Sequence, residues 1–380
     1  MKSRRYTPLL TALAALCIGS AEATPAAAQR LHSLIVTDVT PGARWGVHRP
    51  NLDADAGNMY RFLVENAPPE KLDAQFYYMM DDEQATPQSV LEALDQLQPG
   101  PNDTVLFYYT GHGGIDDRGS YFDMIGGRLY RDEVFALMKS KGPRLAALVS
   151  DCCNARDDGQ AQVEARAPAP DIPEDFTPLF RSLLIEPSGV IDVNACAPGQ
   201  SAFFAPPPRD EDDDPEGSLF TTALVKWADE HRRKRVSWDQ LLDEVGMRTH
   251  LAFRRNYPDG VAFAKSKGAG VQRDQNVYAR EYPGKPAARG PRAGIAVRDD
   301  DGQGAVITEI VPDSPAARAF DVGTEQYVAL RPGMRITVMN GRPVTSVADF
   351  DKALAESSQI LRLTVETDAG GQVYLVRLRY

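Results

Sequence analysis

Cysteine is scarce in this chain: four in 380 residues, of which Cys17 lies near the start and Cys152, Cys153 and Cys196 follow. Three later cysteines with two adjacent do not make a disulfide framework. In an oxidising compartment at least one thiol then stays free and needs a reason to persist; catalysis is one. Basic charge is short as well, with 42 Lys and Arg against 53 Asp and Glu and a net charge of -11. That balance excludes an ordinary nucleic-acid binder, because no half of the chain carries a sustained basic surface. The one basic cluster, HRRKR at 231–235, reads as a solvated helix face. Past the first twenty residues no run is apolar enough to cross a bilayer. Nothing repeats, which counts against a structural or adhesion array.

The length leaves room for two domains, each with a core of its own. Lys2, Arg4 and Arg5 precede an apolar run from Leu9 to Ile18, and Ala21-Glu22-Ala23 and Ala26-Ala27-Ala28 offer small-residue cleavage sites. This predicts a secretory signal peptide over 1–28, cleaved on export to a periplasmic or extracellular compartment. Ser3-Arg4-Arg5 faintly resembles a twin-arginine signal, with Thr7 where that signal favours Phe. Leu16 before Cys17 makes lipid attachment there a poor fit.

The informative stretch runs from Val105 to Ala155: VLFYYTGHGG, then LAALVSDCCNA. Two short apolar runs, too compact for amphipathic helices, read as buried parallel strands. Each ends on reactive side chains, His112 between glycines and then Asp151, Cys152, Cys153 and Asn154. In an open α/β sheet ligands bind beyond the carboxyl ends of the strands, so both ends should share a rim. A thiolate beside an imidazole is a strong nucleophile, and the pair points to acyl transfer. Cys153, the second residue after Asp151 in D-x-C, is the preferred nucleophile, and strand alternation turns it and Cys152 opposite ways. Cys152 is the alternative.

A GHG ending one strand and a D-x-C ending the next resemble the caspase-like cysteine peptidases: caspases, metacaspases and paracaspases. The His-to-Cys separation is near the roughly 50 residues of caspases. The caspase Q-A-C-x-G is absent, and D-C-C-N is closer to the D-x-C-H of metacaspases, with Asn154 and Ala155 replacing His and Ser. The resemblance implies a His112–Cys153 dyad and oxyanion donors at the amides of Gly113 and Cys153. It also implies a pocket for P1 Arg or Lys formed by Asp151 and Asp55, since carboxylates pair well with guanidinium groups. Asp55 has a plain competing explanation as an exposed helix-start acid.

Around these motifs the chain alternates strands and helices. Strands are expected at Leu34–Val39, Phe76–Met79 and Val190–Cys196. Helices are expected at Asp53–Asn66, from Pro87 with Thr86 as cap, at Arg131–Lys139, after Ser218, and at Trp238–Phe253. Tyr121–Leu129 suggests a hairpin. The expected fold class is α/β, a caspase-like, mostly parallel sheet sandwiched by helices, at 29–280. Residues 156–175 read as a polar, proline-punctuated loop, or as the linker that some caspase-like peptidases cut, with Arg156 and Arg166 as candidate sites. RDEDDDPEG at 209–217 is either a solvated loop or a calcium collector through Asp212, Asp213 and Asp214; it lacks the D-x-D-x-D-G ladder. The chemistry requires no cofactor, and calcium is the one candidate. APGQSAFF after Cys196 and RDQNVY at 273–278 resemble further metacaspase and caspase-like motifs.

Residues 281–292 are a linker by composition. Beyond them I-V-P-x-S-P-A-A and L-R-P-G-M-x-I-x-x-x-N-G resemble a PDZ domain, small and mainly β, of the type found on exported bacterial proteases, over 293–380. A helix is expected at Val347–Glu356 and a loop insertion at 320–329. The resemblance implies capture of C-terminal peptides by strand addition, with Ala293, Gly294 and Ile295 as the carboxylate loop; a purely structural role is the alternative. The whole reads as an exported cysteine endopeptidase acting on protein or peptide substrates. A catalytically inactive caspase-like/PDZ peptide-binding module is the alternative. A ligase outcome stays open, since an amine can resolve an acyl-enzyme as water does.

Overall fold

Short apolar runs alternating with amphipathic ones put a parallel sheet at the centre of the computed structural model. In chain order the elements are β1 (Leu31–Thr37), α1 (Arg49–Val64), β2 (Leu72–Tyr78), α2 (Pro87–Gln96) and β3 (Thr104–Gly111). Then come β4 (Gly113–Asp116), β5 (Gly119–Met124), β6 (Gly127–Tyr130), α3 (Arg131–Ser140) and β7 (Leu145–Cys152). One turn of helix, α4 (Pro178–Phe180), runs into five π-helical residues (Arg181–Ile185), followed by β8 (Gly189–Asn194), α5 (Leu219–His231) and α6 (Trp238–Asn256). A two-residue ladder of β9 (Val261–Ala262) and β10 (Val271–Gln272) precedes β11 (Tyr278–Glu281). The structure describes residues 29–37, 49–78, 86–154, 172–205, 216–262, 270–285, 293–312, 314–357, 360–367 and 370–378. The leader at 1–28, Arg156 and Arg166, Asp212, Asp213 and Asp214, and residues 286–292 of the linker lie outside them.

The main sheet has the order β11-β8-β7-β3-β1-β2. Strands β8, β7, β3, β1 and β2 are parallel, and β11 closes one edge antiparallel with a bulge. Chain order reverses between β1 and β3, so the crevice of such a sheet opens at their carboxyl ends. Side chains alternate across it. Leu106 and Tyr108 of β3 and Ala147 and Val149 of β7 face a core closed by α1, α5 and α6. Val105, Phe107 and Tyr109 with Ala146, Leu148 and Cys152 face a second core under α2 and α3. Helix starts follow their caps: Thr86 and Ser89 form a reciprocal capping box with Pro87 in the first turn, and Ser218 and Ser237 cap α5 and α6.

Several boundaries move. β1 starts at Leu31 and β2 at Leu72, because register pairing from Leu31↔Leu72 extends both strands beyond the most apolar residues. α1 starts at Arg49. The expected Tyr121–Leu129 hairpin is part of a three-stranded meander that begins at Gly113, directly after His112.

The C-terminal unit is mainly β, with β12 (Ile295–Asp299), β13 (Ala305–Ile310), β14 (Ala319–Asp321), β15 (Gln326–Val328), β16 (Arg335–Met339), β17 (Arg342–Pro343), helix α7 (Val347–Ala355), β18 (Ile360–Thr367) and β19 (Gly370–Arg377). Strand order is β12-β13-β16-β18-β19-β14-β15, with β17 on β16, around its own core. The expected insertion at 320–329 is no irregular loop: it folds into the β14–β15 hairpin and pairs with β19. Phe320 and Tyr327 of that hairpin pack with Ile360 and Leu375 on Met247 and Leu251 of α6. Arg377 donates to the Val277 carbonyl at 2.6 Å and lies 3.8 Å from Asp243. It fills the notch at Gly246, where a Cβ would come within 2.5 Å of its Nε.

Candidate active site

Parallel pairing of β3 with β7 ends at Gly111↔Cys152, so His112 and Cys153 are the next residues beyond two adjacent strand ends. Both are half-buried. The backbone of His112 is tied down: its carbonyl accepts from the Tyr109 hydroxyl at 2.6 Å and the Asp123 amide at 3.0 Å. The chain then turns over the cysteine strand. A Cβ on Gly113 would lie 2.7 Å from Cys152 Sγ and 2.9 Å from Cys153 O, so only glycine passes there.

The two adjacent thiols differ. Cys152 is 4% exposed within the second core, and burial pushes its thiol up to about 12. Cys153 lies beyond the strand end, its Sγ 3.9 Å from the Ala202 carbonyl. Cys196 is fully buried, its thiol donating to Cys152 O at 3.3 Å, and burial raises its pKa too.

The shelf beside Cys153 is built from segments far apart in sequence. Asn154 N donates to Gln200 O at 2.9 Å and Gly199 N to Asn154 O at 2.8 Å. The RDQNVY segment and Gln272 just before it hold this shelf: Ser201 N donates to Gln272 Oε1 at 2.8 Å, Phe203 N to Gln275 Oε1 at 3.0 Å, and Gln275 Nε2 to Ala195 O at 3.1 Å. On the opposite face Arg131, 6% exposed, ties β7 to β8 through Asp192 (2.5 Å), Ser150 (2.5 Å) and the Val193 carbonyl (2.8 Å). In the sequence it marks only a helix start, since nothing local signals a buried ion pair that spans two strands. A cavity of about 40 Å³ separates it from Cys152 and Cys153.

Asp55 and Asp151 come together, and neither is an exposed helix acid: they are 0% and 4% exposed. Asp151 shares the β7 face of Ala147 and Val149, two residues before Cys153, while Asp55 reaches in from α1. Thr110 and Tyr108 of β3 and Ser218 and Thr221 at the start of α5 close around the two carboxylates. Gly217 is required beside them, because a Cβ there would lie 2.4 Å from Asp55 Oδ1. Among the described residues no Lys, Arg or His contacts either carboxylate. Burial raises both pKa values, that of Asp151 to about 6 and that of Asp55 well above its usual range, with the Asp151 charge adding to the latter. The hydroxyl and amide donors were missed in sequence; Ser218 was visible only as a cap.

Ala293, Gly294 and Ile295 lie in the C-terminal unit, apart from this site. Ala293 is buried, Gly294 turns at φ +71° against Ser314, and Ile295 opens the edge strand β12. Among the described residues no three His, Cys, Asp or Glu side chains gather as a metal site, and no helix is long and apolar enough to cross a membrane.

A parallel sheet with helices on both faces and His and Cys at neighbouring strand ends defines an α/β protein with the makings of a cysteine hydrolase. The caspase domain family (peptidase C14) matches residues 39–267, more than half of the chain, and the chain belongs to that family of cysteine peptidases. Its α/β fold is therefore caspase-like, and a peptidase domain implies protein substrates. Among solved structures, caspase-1 from Spodoptera frugiperda is similar at 14% identity and TM-score 0.44, over 66% of this chain and 86% of that one. The PDZ domain of HtrA3, bound to a phage-derived ligand (FGRWV), is similar at 20% identity and TM-score 0.20, over 23% of this chain and 85% of that one. No curated protein matches.

Proposed function

We propose that the chain is an exported, metacaspase-type cysteine endopeptidase that cleaves after Arg or Lys. Cys153 attacks the scissile carbonyl, and His112 takes the thiol proton and returns it to the leaving amine. The amides of Gly113 and Cys153 receive the oxyanion, and water resolves the acyl-enzyme. The observation that carries the P1 preference is the carboxylate pair: two buried acids, with no cation contacting them among the described residues, beside the strand end that bears Cys153. Desolvated carboxylates are costly unless a cation joins them, and a guanidinium or ammonium group supplies that charge.

Residues 293–380 act as a PDZ domain in this reading. The outer edge of β12 beside α7 is suited to accept a peptide strand, with the 293–295 turn receiving its carboxylate. The leader at 1–28 directs export, and 29–280, 281–292 and 293–380 are the peptidase, linker and PDZ segments. Hydrolysis of paired fluorogenic peptides ending in Arg or Asp, by the protein without its leader and by Cys153→Ala, tests the assignment. Arg cleavage that vanishes in the variant is expected. Cleavage after Asp, or activity that survives Cys153→Ala, refutes it.

A further inference from the structure

Asp55 and Asp151 are served by a countable set of protons. Asp55 accepts from the Thr110 hydroxyl at 2.9 Å and the Ser218 amide at 2.8 Å. Asp151 accepts from the Thr221 amide at 3.1 Å and the Thr221 hydroxyl at 2.8 Å. With that proton committed, Tyr108 must donate to Thr221 Oγ1, at 2.7 Å. The Ser218 hydroxyl is within reach of both acids, 3.1 Å from Asp55 Oδ1 and hydrogen-bonded to Asp151 Oδ2. It has one proton to give.

If both carboxylates are ionised, one of these two contacts sets oxygen against oxygen with nothing between them. One more proton on the pair repairs this: a carboxyl donates to Ser218, and Ser218 donates to the remaining carboxylate. Among the described residues no other group supplies the missing charge. α1 brings Asp55; β3 brings Thr110 and Tyr108, with His112 beyond its end; β7 brings Asp151, with Cys153 beyond its end. α5 and its approach bring Ser218, Thr221 and Glu216, whose carboxylate turns outward to Lys226 at 2.9 Å. Burial and mutual repulsion act in the same direction, favouring the protonated pair.

We propose that in the substrate-free protein Asp55 and Asp151 form a pair sharing one proton through Ser218, and that an incoming cationic P1 side chain expels it. The inference rests on the Arg or Lys reading of the pocket. On binding, the carboxyl O–H bond breaks, the proton leaves to water, and a cation–carboxylate contact replaces it, so the net charge of the pair with its bound cation equals that of the pair with its proton. Ser218 is the positioning residue, and selection of a basic P1 is proton-linked. Below the titration of the pair, the apparent KM for an Arg substrate rises about tenfold per pH unit.

The test is calorimetric binding of an uncleaved Arg-ended peptide to the full chain carrying Cys153→Ala, at pH 6 in two buffers of different ionisation heat. Release of close to one proton per peptide is expected, with none for the neutral isostere citrulline. Asp55→Asn should abolish the release. In the active protein Ser218→Ala should move the acid limb of KM toward higher pH more than it alters kcat, with Ser218→Thr restoring it. Arg-specific binding without proton release overturns the shared proton and leaves the P1 preference standing. Equal binding of Arg and citrulline peptides overturns both.

Discussion

Gly113→Ala is the sharpest single perturbation of the dyad, because its cost can be worked from distances. The added methyl group would lie 2.7 Å from Cys152 Sγ and 2.9 Å from both Cys152 Cβ and Cys153 O, where ordinary contact begins at 3.4 Å. None of these is the free end of a flexible chain: Cys152 is locked in the second core, and Cys153 O is backbone. The strand end bearing the nucleophile must therefore retreat by roughly 0.5–0.7 Å, at the cost of about 1–3 kcal/mol typical of overpacking. A displacement approaching 1 Å at a reacting atom costs up to about 100-fold in rate. The expected result is a kcat for the Arg peptide lowered about 10- to 100-fold and a Tm lowered by about 2–4 °C per kcal/mol lost. Gly57→Ala, on α1 with nothing within 4 Å of the new methyl group, is the matched control and should hold or raise the Tm. Wild-type kcat and Tm in Gly113→Ala would refute the argument that this glycine gauges the position of Cys153.

Asp151→Asn should stabilise the protein at neutral pH while abolishing Arg cleavage. A carboxyl raised from 3.8 to about 6 keeps its proton longer folded than unfolded, so stability falls as pH rises through that window. The variant escapes this loss, gaining up to about 3 kcal/mol at pH 8 and little at pH 4, and urea unfolding at both values checks it. A loss at pH 8 would show that the donors around Asp151 outweigh its desolvation. Iodoacetamide should modify Cys153 well before Cys152 or Cys196, read by peptide mass; preferential labelling of Cys152 would transfer the nucleophile role to it. Arg377→Ala removes a charge-assisted bond to Val277 O and empties the notch at Gly246. It should cost about 1.5–3 kcal/mol and separate the melting of the two units, and a single unchanged transition would count against the docking.

Strands and helices were legible wherever a periodic apolar pattern met a cap or a turn, as at Thr86-Pro87 and Ser218. The strand-end placement of His112 and Cys153 was legible for the same reason, since two compact apolar runs each end on them. What escaped depends on distance along the chain. Ser218 and Asp55 meet across 163 positions, and no local pattern distinguishes a capping serine from one that also bridges two acids. Arg131 looked like an ordinary charged residue at a helix start, yet it is buried against Asp192, 61 positions away. The 320–329 segment shows no strand alternation in sequence because its apolar residues serve different neighbours: Phe320 and Tyr327 pack with α6, while Val328 packs on the core of the C-terminal unit.

The seating of Arg377 over Gly246 bears on how the C-terminal unit relates to the site. Segments joined by a flexible tether meet at an effective concentration that depends on tether length. Here the β14–β15 hairpin and Arg377 lock β19 onto α6, while the neighbouring 272–277 segment braces the shelf beside Cys153. The two units are thus held like the arms of a set square rather than the ends of a leash.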